Sequence, residues 1–184
     1  LEEFDVQNLF FNKDYEPFAI KRDTAICTVL KENNVECFSF KDHVIFEEKE
    51  ITKADGLPYT VYTPYKNKWL EKYHILGSAP EYDSTPFQSN FAKNQFPFPD
   101  LSAIGFEKSA IKVQPHNLTQ IGNYKETRDF PALHSPSYLS PHLRFGTVSI
   151  RKLVNWANRK NQTFLSELIW REFFIQILFN FPNC

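Results

Sequence analysis

FLSELIWREFFIQILFN, running from Phe164 to Asn180, is the stretch on which the fold reading turns. Its Leu, Ile and Phe residues recur at helical spacing, which predicts a strongly apolar helix that other elements must cover. Thr163 or Ser166 is the expected start. At 3.6 residues per turn, Glu167, Trp170, Arg171 and Phe174 fall at i, i+3, i+4 and i+7, on one face. Two readings of that face stand side by side. One is an i,i+4 Glu–Arg pair beside a buried Trp, worth a few tenths of a kcal/mol. The other is a concave site in which the indole stacks on a flat ligand while the carboxylate and guanidinium hold its polar edges.

Moving back along the chain, the helical signals continue. Ser149 caps a helix to about Lys160, Ser140-Pro141 opens a short helical turn, and Pro131 and Pro136 bracket a loop. Asn117 is a candidate N-cap for a helix reaching Arg128. Between His43 and about Pro115 the regularity is broken by Pro58, Pro64, Pro80, Pro86 and Pro97-Phe98-Pro99, with one helix expected from Tyr65 to Tyr73. A stretch of that length reads as an interdomain connection. Nearer the start, Asn8 to Asn12 is a short apolar strand and Lys13-Asp14 a turn. Pro17 opens a helix to Glu32, Asn33-Asn34 ends it, and Val35 to Phe40 alternates like a second strand. Strand–helix–strand is the unit of a parallel sheet. The expected class is therefore α/β followed by all-α: the tail of a doubly wound parallel sheet domain (1–45), a long linker (46–115) and the start of a helical domain (116–184).

Of the 184 residues 42% are hydrophobic and 23% charged, which excludes a disordered chain. Aromatic residues make up 16%, a share suited to thick aromatic cores or surfaces for flat ligands. A net charge of −1 gives no global signature of nucleic-acid binding, so any such contact rests on local residues. Cys27, Cys37 and Cys184 lack metal-ligand spacing and read as reduced thiols of a cytosolic protein. The dispersed His43, His74, His116, His134 and His142 suggest no metal site. There is no G-x-G-x-x-G or P-loop, no signal peptide, and no run near the roughly 20 apolar residues of a membrane span. The chain begins at Leu1, holds no Met and stops just after an apolar helix, so both ends read as internal to a longer polypeptide.

Five blocks together resemble the DNA photolyase/cryptochrome family in that family's own order. ELIWREF (Glu167 to Phe173) resembles the signature of its flavin domain, and YLSPHLRFGTVSIR (Tyr138 to Arg151) its phosphate loop and following helix. NYKETRDFPAL (Asn123 to Leu133) resembles the segment just before that loop. NKDYEPFAIKRD (Asn12 to Asp23) and YTVYTPYKNKWL (Tyr59 to Leu70) are similar to the end of the antenna domain and the start of the linker. The resemblance implies a helical FAD-binding domain in the last part of the chain. It implies that Tyr124, Ser137, Leu139, Ser140, Phe164 and Arg171 bind FAD. Glu167 and Trp170 would meet the damaged pyrimidines as the catalytic pair, and Arg128 would contact a DNA phosphate, with Arg171 also near the DNA. The loop departs from the family's usual Thr-Ser-Arg/Lys-Leu-Ser at Pro136 and Tyr138, which removes a hydroxyl and a cation. The family's electron-transfer tryptophans would lie beyond Cys184, so Trp69, Trp156 and Trp170 are not that chain.

The resemblance thus implies light-driven repair of pyrimidine dimers by electron transfer from reduced FAD, in a monomeric, cytoplasmic or nucleoid-associated protein. Its partner would be damaged DNA, with no membrane, and its antenna chromophore is left unidentified. The 184 residues alone are expected to be inactive. The alternatives are a cryptochrome-type blue-light photoreceptor and a cofactor-free helical interaction module.

Overall fold

The computed structural model describes residues 6–93 and 97–183. Cys184, read above as a free thiol, lies outside them; Cys27 and Cys37 are free. The first unit is β1 (Asn8–Asn12), α1 (Pro17–Glu32) and β2 (Glu36–Phe40). The strands pair in parallel, with Asn8 opposite Glu36 and Asn12 opposite Phe40. Pro17 stands at the start of α1, where its missing N–H costs nothing. Asn34, at φ 58°, turns the chain into β2; Asn tolerates this left-handed conformation better than most residues. α1 buries Ala19 and Leu30 on the sheet. Across the register Phe10 and Phe38 stack with centroids 5.1 Å apart.

The rest is helical: α2 (Tyr62–Leu76), α3 (Tyr124–Thr127), α4 (Leu139–Arg144), α5 (Ile150–Lys160) and α6 (Gln162–Asn180), with short 3-10 turns between. The core is one cluster in which α2 contributes Tyr65, Trp69 and Tyr73, α5 contributes Leu153, Val154 and Ala157, and α6 contributes Phe164, Leu165, Leu168, Ile169 and Phe173. Tyr65, Trp69 and Tyr73 are spaced i, i+4, i+8, so one stripe of α2 meets α5 and α6. A segment read from sequence as connection therefore carries the largest side chains of the helical core. Beyond it, residues around Phe87, Phe91, Phe98, Phe106 and Ile111 run exposed.

Three boundaries differ from the sequence expectation. α2 starts at Tyr62, before Pro64, because a proline in a first helical turn loses no hydrogen bond. α6 is capped by Asn161, whose Oδ1 accepts the Phe164 N–H at 2.9 Å, and not by Thr163 or Ser166. Asn161 wins because its Nδ2 also donates to the Ile121 and Gly122 carbonyls, tying the helix start to a neighbouring loop. The helix expected from Asn117 to Arg128 is reduced to a 3-10 turn at Ile121–Asn123 followed by α3. Asn117 Oδ1 instead accepts the Thr119 N–H and hydroxyl, a local turn that competes with helix. Ser149 caps α5 as expected. Among the described residues no helix is long and apolar enough to cross a membrane.

Candidate functional site

Along α6, residues Phe164, Glu167, Leu168, Arg171, Phe174, Ile175 and Leu178 form a stripe that walls a cavity of about 540 Å³. Tyr124 of α3, Ser137 of the preceding loop, and Leu139, Ser140, Leu143 and Arg144 of α4 close its second side. Asp14, Tyr15, Glu16 and His43, just past the carboxyl ends of the two parallel strands, close the third. Open α/β sheets place ligands at that end of their strands. Tyr124, Ser137, Leu139, Ser140, Phe164 and Arg171, far apart in the chain, thus line one cavity together with Glu167.

The α4 side carries the hydroxyls of Ser137 and Ser140 beside Leu139 and Leu143, and the apolar stripe of α6 is broken by Glu167 and Arg171. Tyr138 has φ 54°, a left-handed turn that sets the loop before α4, and the Ser137 carbonyl accepts the Asn117 N–H at 2.8 Å. Leu139 and Ser140 are the first two residues of α4, where backbone N–H groups have no acceptor inside the helix. Tyr124 and Phe164 meet edge to face at 5.1 Å. Arg171 donates through Nη1 to the His43 carbonyl at 2.7 Å. Burial lowers the Arg171 pKa, and the neighbouring Glu172 carboxylate partly offsets it. His43 is likewise held below the ordinary imidazole range by burial and by Arg171, against the opposing pull of Asp14.

Trp170 does not share the cavity. Glu167 to Trp170 is a rotation of about 300° and Glu167 to Arg171 about 400°, so Trp170 and Arg171 diverge to opposite flanks of Glu167 by about 100°. The indole stacks on Tyr62 of α2 with centroids 3.5 Å apart and planes 10° apart, and lies offset from Phe174 at 5.4 Å. Arg128 pairs with Glu167 and lies over the Tyr124 ring at 5.6 Å. Glu167 therefore sits where the cavity, Arg128 and the Trp170 flank meet.

Sequence reasoning missed two features. Glu172 is completely buried, and its oxygens accept the N–H groups of Ile45 (2.6 Å), Phe46 (3.0 Å) and Trp69 Nε1 (2.7 Å). Burial raises its pKa to about 7 against these donors and Arg171, which pull it down. The second is a set of arginines that tie the helical unit to the strand ends. Arg144 grips Glu16 bidentately at 2.6 and 3.2 Å, and Arg151 donates to the Lys41 carbonyl at 2.7 Å. No spacing rule signals either, since the partners lie more than 100 residues apart.

A family model described as DNA photolyase matches residues 1–87. A deoxyribodipyrimidine photo-lyase of Alkalihalophilus pseudofirmus is 29% identical over 98% of the chain, and the protein of that name from Escherichia coli is 28% identical over the same share. The chain is thus similar to DNA photolyases over nearly its whole length. It spans about two-fifths of the length of these relatives, 42% in both cases. In fold, the chain is similar to a class III photolyase from Agrobacterium tumefaciens (TM-score 0.69, 23% identity, 98% of this chain and 42% of that one). It is also similar to an archaeal photolyase from Sulfolobus tokodaii described with two FAD molecules (TM-score 0.60, 24% identity, 97% and 40%). Both likenesses carry the order of a small parallel sheet followed by helices.

Proposed function

We propose that the chain forms part of a flavin-dependent, light-driven repair enzyme for pyrimidine dimers in DNA. The observation that carries this is the single cavity in which Tyr124, Ser137, Leu139, Ser140, Phe164, Glu167 and Arg171 converge. Its chemistry fits FAD: hydroxyls and helix-start N–H groups suit a diphosphate, and the apolar α6 stripe suits a flat ring. Residues 1–45 are then the end of an α/β antenna-type domain, 46–115 the connection and 116–184 the start of the flavin domain. The relatives' names favour repair over a purely sensory role.

When bound, reduced FAD supplies the light-driven electron donation; the chain's own residues bind, orient and exclude water. Ser137, Ser140 and the α4 N–H groups hold the diphosphate, Tyr124 donates beside it, and Arg171 balances negative charge in a site that burial makes poorly screened. Trp170 offers the indole area that Tyr62 and Phe174 leave uncovered as a platform for a dimer flipped out of the duplex. Glu167 hydrogen-bonds a pyrimidine edge, and Arg128 holds a backbone phosphate, a positioning contact without sequence information. The Arg128–Glu167 pair opens when both take up these roles.

The test is made on the complete protein. It is expected to purify with flavin and to prefer an oligonucleotide carrying a thymine dimer. Trp170→Ala should lose roughly tenfold or more of that preference, in keeping with about 1–3 kcal/mol per stacked base, and keep its flavin. Equal loss of both would count against the assignment.

A further inference from the structure

We infer that Tyr62 of α2 is a positioning residue for Trp170, fixing the indole plane on which the proposed dimer platform depends. This rests on the reading of Trp170 given under Proposed function. Tyr62 holds Trp170 at two points. Its ring lies flat on the indole, 3.5 Å between centroids and 10° between planes. Its hydroxyl donates to the Ser166 carbonyl at 2.8 Å. In a regular helix Ser166 O is also the acceptor for the N–H of residue 170, so one side chain secures both the indole and the helical turn that carries it.

The clamp is itself held still. Phe173, 5% exposed, meets the Tyr62 ring edge to face at 5.8 Å and the indole at 5.6 Å. Three positions further along α2 is Tyr65 and seven further is Trp69, both at 1% exposure in the core. Tyr62 thus projects from an element fixed by packing, and its burial keeps the hydroxyl protonated as a donor. Its ring occupies one indole face, and Phe174 stacks offset on the indole at 5.4 Å, so a flat ligand must use the area that these two rings leave. A side chain already ordered in the free protein loses less entropy when a ligand stacks on it. That makes Tyr62 a determinant of damage recognition without requiring it to touch DNA.

The experiment uses the complete protein and two duplex probes, one carrying a single thymine cyclobutane dimer and one undamaged. Tyr62→Phe keeps the ring. Tyr62→Met and Tyr62→Leu remove it and differ in volume, so that a packing fault in one is exposed by the other. Each is combined with Trp170→Ala. The ratio of the two affinities is expected to fall roughly three- to tenfold in the Met and Leu variants, the effect of one newly mobile side chain. It should stay within about twofold in the Phe variant, with flavin per chain unchanged. In the Trp170→Ala background the Tyr62 variants should cost nothing more, because partners acting as a unit are not additive. Wild-type discrimination in both the Met and Leu variants would overturn the proposal, as would losses that simply add to Trp170→Ala; a loss in Tyr62→Phe that Trp170→Ala likewise absorbs would support it through the hydroxyl's hold on Ser166. If Trp170→Ala alone leaves discrimination intact, the reading of Trp170 fails and the role of Tyr62 with it. Failure of the Tyr62 variants alone leaves that reading standing.

Discussion

Glu167 and Arg128 show how one pair of residues carries two assignments. In this structure they neutralise each other at a partly exposed position, where an ion pair contributes little to stability. Releasing Arg128 to a phosphate therefore costs little. Arg128→Ala in the complete protein is expected to weaken damaged and undamaged DNA by the same factor. It should also reduce the slope of log affinity against log salt by about one phosphate contact. A selective loss for damaged DNA would instead make Arg128 part of lesion recognition. Of the residues that line the cavity, Glu167, Arg171 and Phe174 follow from helical period, and Phe164, Tyr124 and the loop around Ser137 from the resemblance. Trp170 was the exception. An i+3 and an i+4 neighbour look equivalent on a pattern, but they diverge by about 100°, and only the position of Tyr62 decides which flank the indole joins.

Among the elements, α6 is the one that everything else is built on, and its two fixings were hidden for different reasons. The sequence pointed to Thr163 or Ser166 as the start, and the cap falls instead on Asn161 because of the Ile121 and Gly122 carbonyls that only the fold brings near. Asn161→Ala is expected to cost about 1–2 kcal/mol, the scale of a lost cap, measured as a lower urea midpoint at constant slope. Glu172 was illegible, because in sequence it is merely the polar residue after Arg171. Its folded pKa, about 7, lies above the ordinary 4.5, so between those values the folded state binds more protons than the unfolded one. Its contribution is therefore fully present below about pH 4.5 and is lost as pH rises through about 7. The size is roughly 3 kcal/mol at 1.36 kcal/mol per pKa unit. Unfolding titrations from pH 5 to 8 should show that decline in wild type. Glu172→Gln should lack it, while being less stable at acid pH because its amide NH2 would oppose the N–H of Ile45 or Trp69. An unchanged pH slope in the variant would refute the assignment.

Over the whole molecule, the fold class was legible from the short apolar run of β1, the alternation of β2, the Ser149 cap of α5 and the helical spacing of α6. The part played by α2 was not. Proline-rich flanks mark residues 46–115 as a connection, whereas Tyr65, Trp69 and Tyr73 make α2 a core helix. Trp69→Ala is expected to destabilise by about 3–5 kcal/mol from cavity formation alone, and it also strips a donor from buried Glu172. A loss below 1 kcal/mol in chemical unfolding would mean that the helical unit does not depend on α2. With α2 in place, Arg144, Arg151 and Arg171 draw the strand ends against the helices, and the cavity at that junction takes walls from both. The claim that this junction serves light-driven repair is tested most directly by giving the complete, flavin-reduced protein an oligonucleotide with a thymine dimer and counting dimers lost in blue light and in darkness. Loss in the light alone is predicted; bound flavin with no loss in either condition would contradict the account.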